Sequence, residues 1–203
     1  AQHIDPVDVP RFGRLGVIAA VQGVHATSDG PWIPRRLGEE RARRTSYPWR
    51  DLIEAGTVIG NGTDAPVEDV DPIASFYATV SRRTEDGTVF IPEQRMTRQE
   101  ALESYTINNA FAAFEEDVKG SITPGKLADI VVLSNDIMTI PEEEIPTAKV
   151  GVDRADAASV GVRWPTRRRA RRPGEASRPP PPGHRLTPRG AGGTLRPIEN
   201  ESC

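Results

Sequence analysis

Two short apolar runs, Val17-Ile18-Ala19-Ala20-Val21 and Thr57-Val58-Ile59, each follow a helix-like segment closed by glycine, and this alternation constrains the fold most. Apolar runs of this kind, with β-branched residues in them, make buried strands. Before the first run, Asp5 to Leu15 reads as a short helix: Asp8 is its candidate N-cap, Pro10 suits the first turn, and Gly16 supplies the stop. Before the second, Trp49 to Ala55 reads as a helix stopped at Gly56. Helix passing directly into strand, twice, implies parallel strands joined by right-handed crossovers. Residues 26 to 46 form a long polar excursion between them. It holds Pro31, Trp32 and Pro34, then Arg35, Arg36, Arg41, Arg43 and Arg44 interleaved with Glu39 and Glu40 on a solvated helix. Connections of that length in compact domains are usually functional or mobile.

Both strands run into residues able to do chemistry. The first continues as Gln22-Gly23-Val24-His25, which puts His25 at a strand end. There it either faces a ligand or is simply hydrogen-bonded structure. The second continues as Gly60-Asn61-Gly62-Thr63-Asp64-Ala65-Pro66-Val67. Gly60 and Gly62 leave room for close approaches that a Cβ would block. Pro66 has no N–H to give a ladder and so ends the strand. An acid at the C-terminal end of a buried strand is where α/β sheets and barrels carry their chemistry. At that place Asp64 can bind a metal ion or move a proton. It can equally cap a turn through an Asx-type hydrogen bond.

Past Asp64 the pattern becomes helical. Asp71 and Pro72 open a helix with Ile73, Phe76, Tyr77 and Val80 on one face. A turn at Glu85-Asp86-Gly87 follows, and Thr97-Arg98-Gln99-Glu100 is a capping box. The helix it starts carries Ala101, Leu102, Tyr105, Ala110, Phe111 and Phe114 as a buried side. Ala128-Asp129-Ile130-Val131-Val132-Leu133 is the strongest strand in the sequence, and Pro141 to Ile145 makes one helical turn.

Charge divides the chain near residue 150. Residues 1–150 carry 15 Lys and Arg against 24 Asp and Glu, whereas residues 151–203 carry 11 Arg, no Lys and 5 acids. The basic part, with Pro179 to Pro182 in a row, has too little apolar surface to offset the entropy of ordering, so disorder is expected. Arg167-Arg168-Arg169 and Arg171-Arg172 suit a nucleic-acid arm, but no aromatics interleave with them, which argues against that partner. Translation in a shifted frame is a further reading, since it would account for arginine without lysine. No run approaches the ~18 apolar residues of a membrane span. The lone cysteine, Cys203, excludes an intrachain disulfide, so a reducing, cytoplasmic setting is expected. The sequence opens at Ala1-Gln2 without an initiating Met or a charged-then-apolar segment, so a fragment or processed piece is expected.

The stretch Lys119-Gly120-Ser121-Ile122-Thr123-Pro124-Gly125-Lys126-Leu127-Ala128-Asp129-Ile130-Val131-Val132-Leu133 resembles a signature of the metal-dependent amidohydrolase superfamily. With Ala1-Gln2 and the Thr63-Asp64-Ala65-Pro66-Val67 form, the amidohydrolase 3 group is the nearest likeness, covering residues 1 to about 150. The resemblance implies an α/β fold. Residues 1–114 would be the C-terminal portion of a (β/α)8 TIM barrel, holding about its last two strands. Residues 115–150 would be the segment returning to a small β-sandwich domain, and residues 151–203 the tail.

It also implies hydrolysis of C–N bonds other than peptide bonds (amide, imide or N-formyl type) in a small-molecule substrate, through a metal-activated hydroxide. One or two divalent ions, usually zinc, sit at the barrel mouth in such enzymes. Asp64 matches the aspartate that acts there as ligand and proton shuttle. His25 matches a position whose histidine faces substrate, although Gly23 stands where the family commonly has proline. His3 and His184 receive no role, and Asp129 and Lys126 belong to turns. The His-x-His and mid-barrel ligands have no counterpart here, so the chain by itself is expected to be inactive. The competing expectations are a non-catalytic fragment and a basic-tail binding protein.

Overall fold

A computed structural model of the chain describes residues 1–154. The elements run in the order α1 (Val9–Leu15), β1 (Ala19–Gln22), α2 (His25–Asp29), α3 (Ile33–Leu37), α4 (Glu39–Thr45), α5 (Trp49–Glu54) and β2 (Ile59–Gly62). Then come α6 (Pro72–Ser81), α7 (Arg98–Tyr105), α8 (Ile107–Ala112), β3 (Ile130–Leu133) and β4 (Val150–Arg154). Short 3-10 turns lie at Pro92–Gln94 and Glu142–Thr147. β1 and β2 pair in parallel, and β3 and β4 pair antiparallel. The mixed α/β class and the parallel pair agree with the sequence pattern. β4 continues to Arg154, beyond the residue at which the basic tail was expected to begin. The remaining tail features, Arg167 to Arg172, Pro179 to Pro182 and His184, lie outside the described residues.

The helix ends follow local chemistry. Gly16 closes α1 at φ 66° and Gly56 follows α5 at φ 78°. Asp71 caps α6 by accepting from the N–H groups of Ile73 and Ala74 at 2.9 and 3.0 Å. The capping box is present: Thr97 Oγ1 accepts from Glu100 N–H at 3.2 Å, and Glu100 Oε2 accepts from Thr97 N–H at 2.7 Å. Asp8 departs from expectation, since its carboxylate takes Arg11 at 2.6 Å instead of a helix N–H. The long helix expected after Thr97 is two helices, because Thr106, at φ −121° and ψ −93°, breaks it. The second half then turns its apolar side outward, leaving Phe111 exposed and Phe114 92% exposed. The long excursion between the strands is three short helices rather than one.

The core lies beneath β1 and β2, where Val21 and Ile59 meet Ile33, Tyr47, Trp49, Leu52, Phe76 and Phe90. Trp49 and Leu52 are fully buried. Such side chains contribute about 1.5–3 kcal/mol each through removal from water. Arg82 is also fully buried, stacked over the Trp49 ring at 4.6 Å and the Phe90 ring at 5.5 Å. Its Nε donates to the Phe90 carbonyl at 2.6 Å and its Nη1 to the Tyr47 carbonyl at 3.2 Å. Burial pushes this guanidinium down to about 9, with nearby Glu93 and Tyr47 opposing the shift.

Arg50 joins α5 to α7 by a two-pronged contact with Glu100, at 2.8 Å to Oε1 and 2.6 Å to Oε2. Those bonds, reinforced by Thr97, hold the Glu100 carboxyl down at about 2. The contribution is therefore present above the ordinary Glu value of about 4.3 and is lost as pH falls toward the folded value. Urea unfolding between pH 6 and pH 2.5 should show this loss in the native chain. Glu100→Gln should flatten that part of the profile and cost about 1 kcal/mol at pH 7, the upper end for a partly solvated pair.

Candidate functional site

The parallel register brings both strand ends to one level, with Val21 opposite Asn61 and Gln22 opposite Gly62. The clasp is the buried side chain of Asn61. Its Oδ1 accepts from Gly23 N–H at 3.0 Å and Gly62 N–H at 2.9 Å. Its Nδ2 donates to Thr79 Oγ1 at 3.1 Å on α6 and to Ser104 Oγ at 3.3 Å on α7. Gly23 passes so close to α6 that a Cβ there would sit 2.0 Å from Thr79 Oγ1 and 2.6 Å from the Ser75 carbonyl. Glycine is required at that step. At Gly60 a Cβ would lie 2.6 Å from Asn109 Oδ1, the end of a side chain and not backbone, whereas Gly62 has open space around it. The sequence expectation of a close approach thus holds for Gly60 and not for Gly62.

Ser75 completes the join. Its Oγ accepts from Val24 N–H at 3.2 Å and from the Tyr105 hydroxyl at 2.5 Å, and donates to the Gly62 carbonyl at 3.4 Å. On the other side of β2, Asn108 Nδ2 donates to the Ile59 carbonyl at 3.0 Å and Asn109 Nδ2 to the Asn61 carbonyl at 2.9 Å. That edge is therefore occupied by side chains from α8. None of Asn61, Ser75, Asn108 or Asn109 stands out in the sequence. Their roles come from contacts across 13 to 51 positions of chain.

Above this clasp lie the two residues singled out from the sequence. His25 does not end β1; it opens α2, three positions beyond the strand, because the chain turns at Gly23 and Val24. The His25 side chain is 8% exposed, while the Asp64 side chain is 49% exposed. His25 Nε2 lies 3.8 Å from Asp64 Oδ2, too long for a direct hydrogen bond. His25 Nδ1 lies 3.0 Å from Gln2 Nε2, and Nε2 is buried with no partner among the described residues. Asp64 sits at φ 58°, a left-handed conformation that aspartate tolerates better than most residues. Its carbonyl accepts from Val67 N–H at 2.8 Å, so the turn is closed by the backbone. Among the described residues its carboxylate accepts no hydrogen bond, so the Asx-cap alternative has no counterpart in the structure.

Tyr47 N–H donates to the carbonyl of Gln2, the residue whose side chain meets His25. The Tyr47 hydroxyl donates to Asp29 Oδ2, and burial, then that bond, pushes the phenol well above its ordinary range. Glu68 Oε1 accepts from Ser28 Oγ at 2.7 Å. His3 is exposed, bonded to Ser46 Oγ at 3.1 Å, and burial of its ring lowers its pKa against the opposing pull of Asp29. Asp129 is exposed ahead of β3, and Lys126 pins its turn through the Glu116 and Lys119 carbonyls. A cavity of about 490 Å³ opens elsewhere, with the 2.7 Å Arg43–Glu93 pair among its lining; neither His25 nor Asp64 lines it. Among the described residues no three His, Cys, Asp or Glu side chains converge as a metal site, and no helix is long and apolar enough to cross a membrane.

Two parallel strands with helices packed on them, their ends joined by the Asn61 amide, define a protein of α/β class. The chain belongs to the amidohydrolase family, whose model matches residues 1–162. It is 38% identical over 135 residues to "Protein LONG AFTER FAR-RED 3" of Arabidopsis thaliana, covering 66% of this chain and 23% of that protein. It is 33% identical over 126 residues to the N-substituted formamide deformylase of Arthrobacter pascens, covering 62% of this chain and 23% of that one. Among solved structures it resembles an uncharacterized metal-dependent hydrolase of Pyrococcus horikoshii, with a TM-score of 0.62 and 29% identity. That alignment covers 70% of this chain and 29% of the other. The chain thus spans about a quarter of the length of the relatives it matches.

Removing the clasp should loosen both strand ends together. Asn61→Ala leaves the Gly23 and Gly62 N–H groups without this acceptor and takes one donor from the Thr79 and Ser104 hydroxyls, at a cost of about 1–3 kcal/mol. Thermal unfolding of the variant beside the native chain measures that loss.

Proposed function

We propose that the chain is the C-terminal part of a metal-dependent hydrolase cleaving C–N bonds other than peptide bonds in a small-molecule substrate of amide, imide or N-formyl type. The observation that carries this reading is the Asp64 carboxylate. It is half-exposed, free of internal hydrogen bonds among the described residues, and 3.8 Å from a buried imidazole nitrogen at the end of a parallel strand pair. The name of the Arthrobacter pascens relative supports the substrate class, and that of the Pyrococcus horikoshii structure supports the metal.

In this reading β1 and β2 are the last two strands of a (β/α)8 barrel. Residues 1–114 belong to the barrel, residues 115–150 return to a small β-sandwich domain, and the basic tail begins after them. A further strand beside β2 would take over the Ile59 and Asn61 carbonyls from Asn108 and Asn109. A lone cysteine fits a reducing, cytoplasmic setting.

Asp64 has both carboxylate oxygens uncommitted, which suits a divalent ion such as zinc. A zinc centre takes four ligands, so the others would come from outside the described residues. Such an ion would supply water acidified to near neutrality. Asp64 takes a proton from the attacking water as its oxygen bonds to the carbonyl carbon. It returns that proton to the nitrogen as the C–N bond breaks. His25, buried and held in place, donates from Nε2 to the carbonyl oxygen as negative charge builds there. The shortage of ligands within the described residues supports a second reading, in which the 203-residue chain alone is non-catalytic.

Asp64→Asn keeps the size of the side chain and removes the base. In an enzyme of the relatives' length carrying this segment, it should lower kcat on N-formyl amines by about 10²–10⁴-fold. Turnover that survives the change removes Asp64 from the mechanism. The 203-residue chain alone should hold far less than one zinc per chain by elemental analysis after dialysis.

A further inference from the structure

We propose that Gln2 is a positioning residue that sets the tautomer of His25, placing the ring proton on Nε2 so that this N–H is the donor offered to the substrate's carbonyl oxygen. The proposal rests on the reading of His25 as a substrate contact. A neutral imidazole has one donor nitrogen and one acceptor nitrogen, and the bond made by one decides the other. Gln2 Nε2 lies 3.0 Å from His25 Nδ1, and an amide NH₂ offers only protons. With that NH₂ as the donor, Nδ1 holds the lone pair and the proton resides on Nε2. That nitrogen is buried, has no partner among the described residues, and stops 3.8 Å short of Asp64 Oδ2. A buried donor left unmatched is costly, so its natural partner is an acceptor brought into the gap.

The Gln2 side chain can impose this choice because its own backbone is held. The Gln2 carbonyl accepts from Tyr47 N–H at 2.6 Å, Ile4 N–H donates to the Thr45 carbonyl at 2.9 Å, and His3 bridges to Ser46. Tyr47 in turn bonds Asp29 at the end of α2, the helix that His25 opens. Gln2 and His25 are therefore tied to each other directly and through Tyr47. Protonation of Nε2 also makes that nitrogen a donor and not a metal ligand, which assigns the carboxylate and the imidazole different tasks.

The test is imidazole ¹⁵N NMR on the full chain with ¹⁵N-labelled histidine, at about pH 8, where an ordinary imidazole is neutral. His25 signals are assigned by their loss in His25→Gln. The native chain should show a protonated Nε2 and a lone-pair Nδ1. Gln2→Glu, which offers only acceptors, should move the proton to Nδ1, and Gln2→Ala should give a mixture of tautomers. A native spectrum with Nδ1 protonated overturns the proposal, as do unchanged His25 signals in both variants. The native spectrum decides even if a variant fails to fold. In an enzyme of the relatives' length, Gln2→Glu should lower kcat about 10²-fold with KM little changed. Should turnover survive His25→Gln while the tautomer still follows residue 2, the substrate-contact reading falls and the Gln2–His25 assignment stands.

Discussion

The Asn61 amide touches every element needed to present the site. It reaches the turn after β1, its own strand β2, helix α6 and helix α7. Its oxygen accepts two hydrogen bonds and its nitrogen donates two, so the full capacity of the side chain is used in a buried place. Buried polar groups of this kind are stabilising only when complete, because each unmatched member keeps its desolvation cost. That is why Gly23 and Ser75 matter alongside it: one lets the chain approach α6, and the other ties Val24 to Gly62. With the strand ends locked together, His25 and Asp64 are carried to opposite sides of one short gap.

A second hub holds Tyr47, to which the Gln2 backbone is bonded. Arg82 ends α6 in a left-handed conformation at φ 50°, fully buried between the Trp49 and Phe90 rings. Burying a guanidinium without a carboxylate is unfavourable, and here stacking on aromatic faces and bonds to two backbone carbonyls offset that cost. One of those carbonyls belongs to Tyr47, which bonds Gln2 through its N–H and Asp29 through its hydroxyl. Polar and aromatic contacts thus hold Tyr47 and through it Gln2, while the Asp64 carboxylate is half-exposed.

What could be read from residue order were features decided within a few positions. Asp71, Thr97 with Glu100, Gly16 and Gly56 act on their own turns of helix, and each is found doing so. The parallel pair followed from helix passing twice into an apolar run. Local chemistry misled where two outcomes of similar energy compete. Asp8 has Arg11 three residues on, and an ion pair there replaces the cap. At Thr106 the apolar spacing continues, yet the backbone breaks, so Phe111 and Phe114 point outward. His25 was placed at a strand end because apolar content does not mark where a ladder stops; Gly23 and the face of α6 decide that.

The order of residues alone determined the α/β class, the pairing of two parallel strands, and Asp64 as the acid carried past the end of the second strand. Those follow from periodicity, turn chemistry and the need to bury β-branched runs, all of them short-range. Only the tertiary structure decided that Asp64 keeps an uncommitted carboxylate, that His25 is buried opposite it, and that Gln2, Asn61 and Ser75 hold the arrangement. These are contacts between segments 13 to 51 residues apart, and a hydrogen bond across such a distance leaves no mark on the neighbours of either partner.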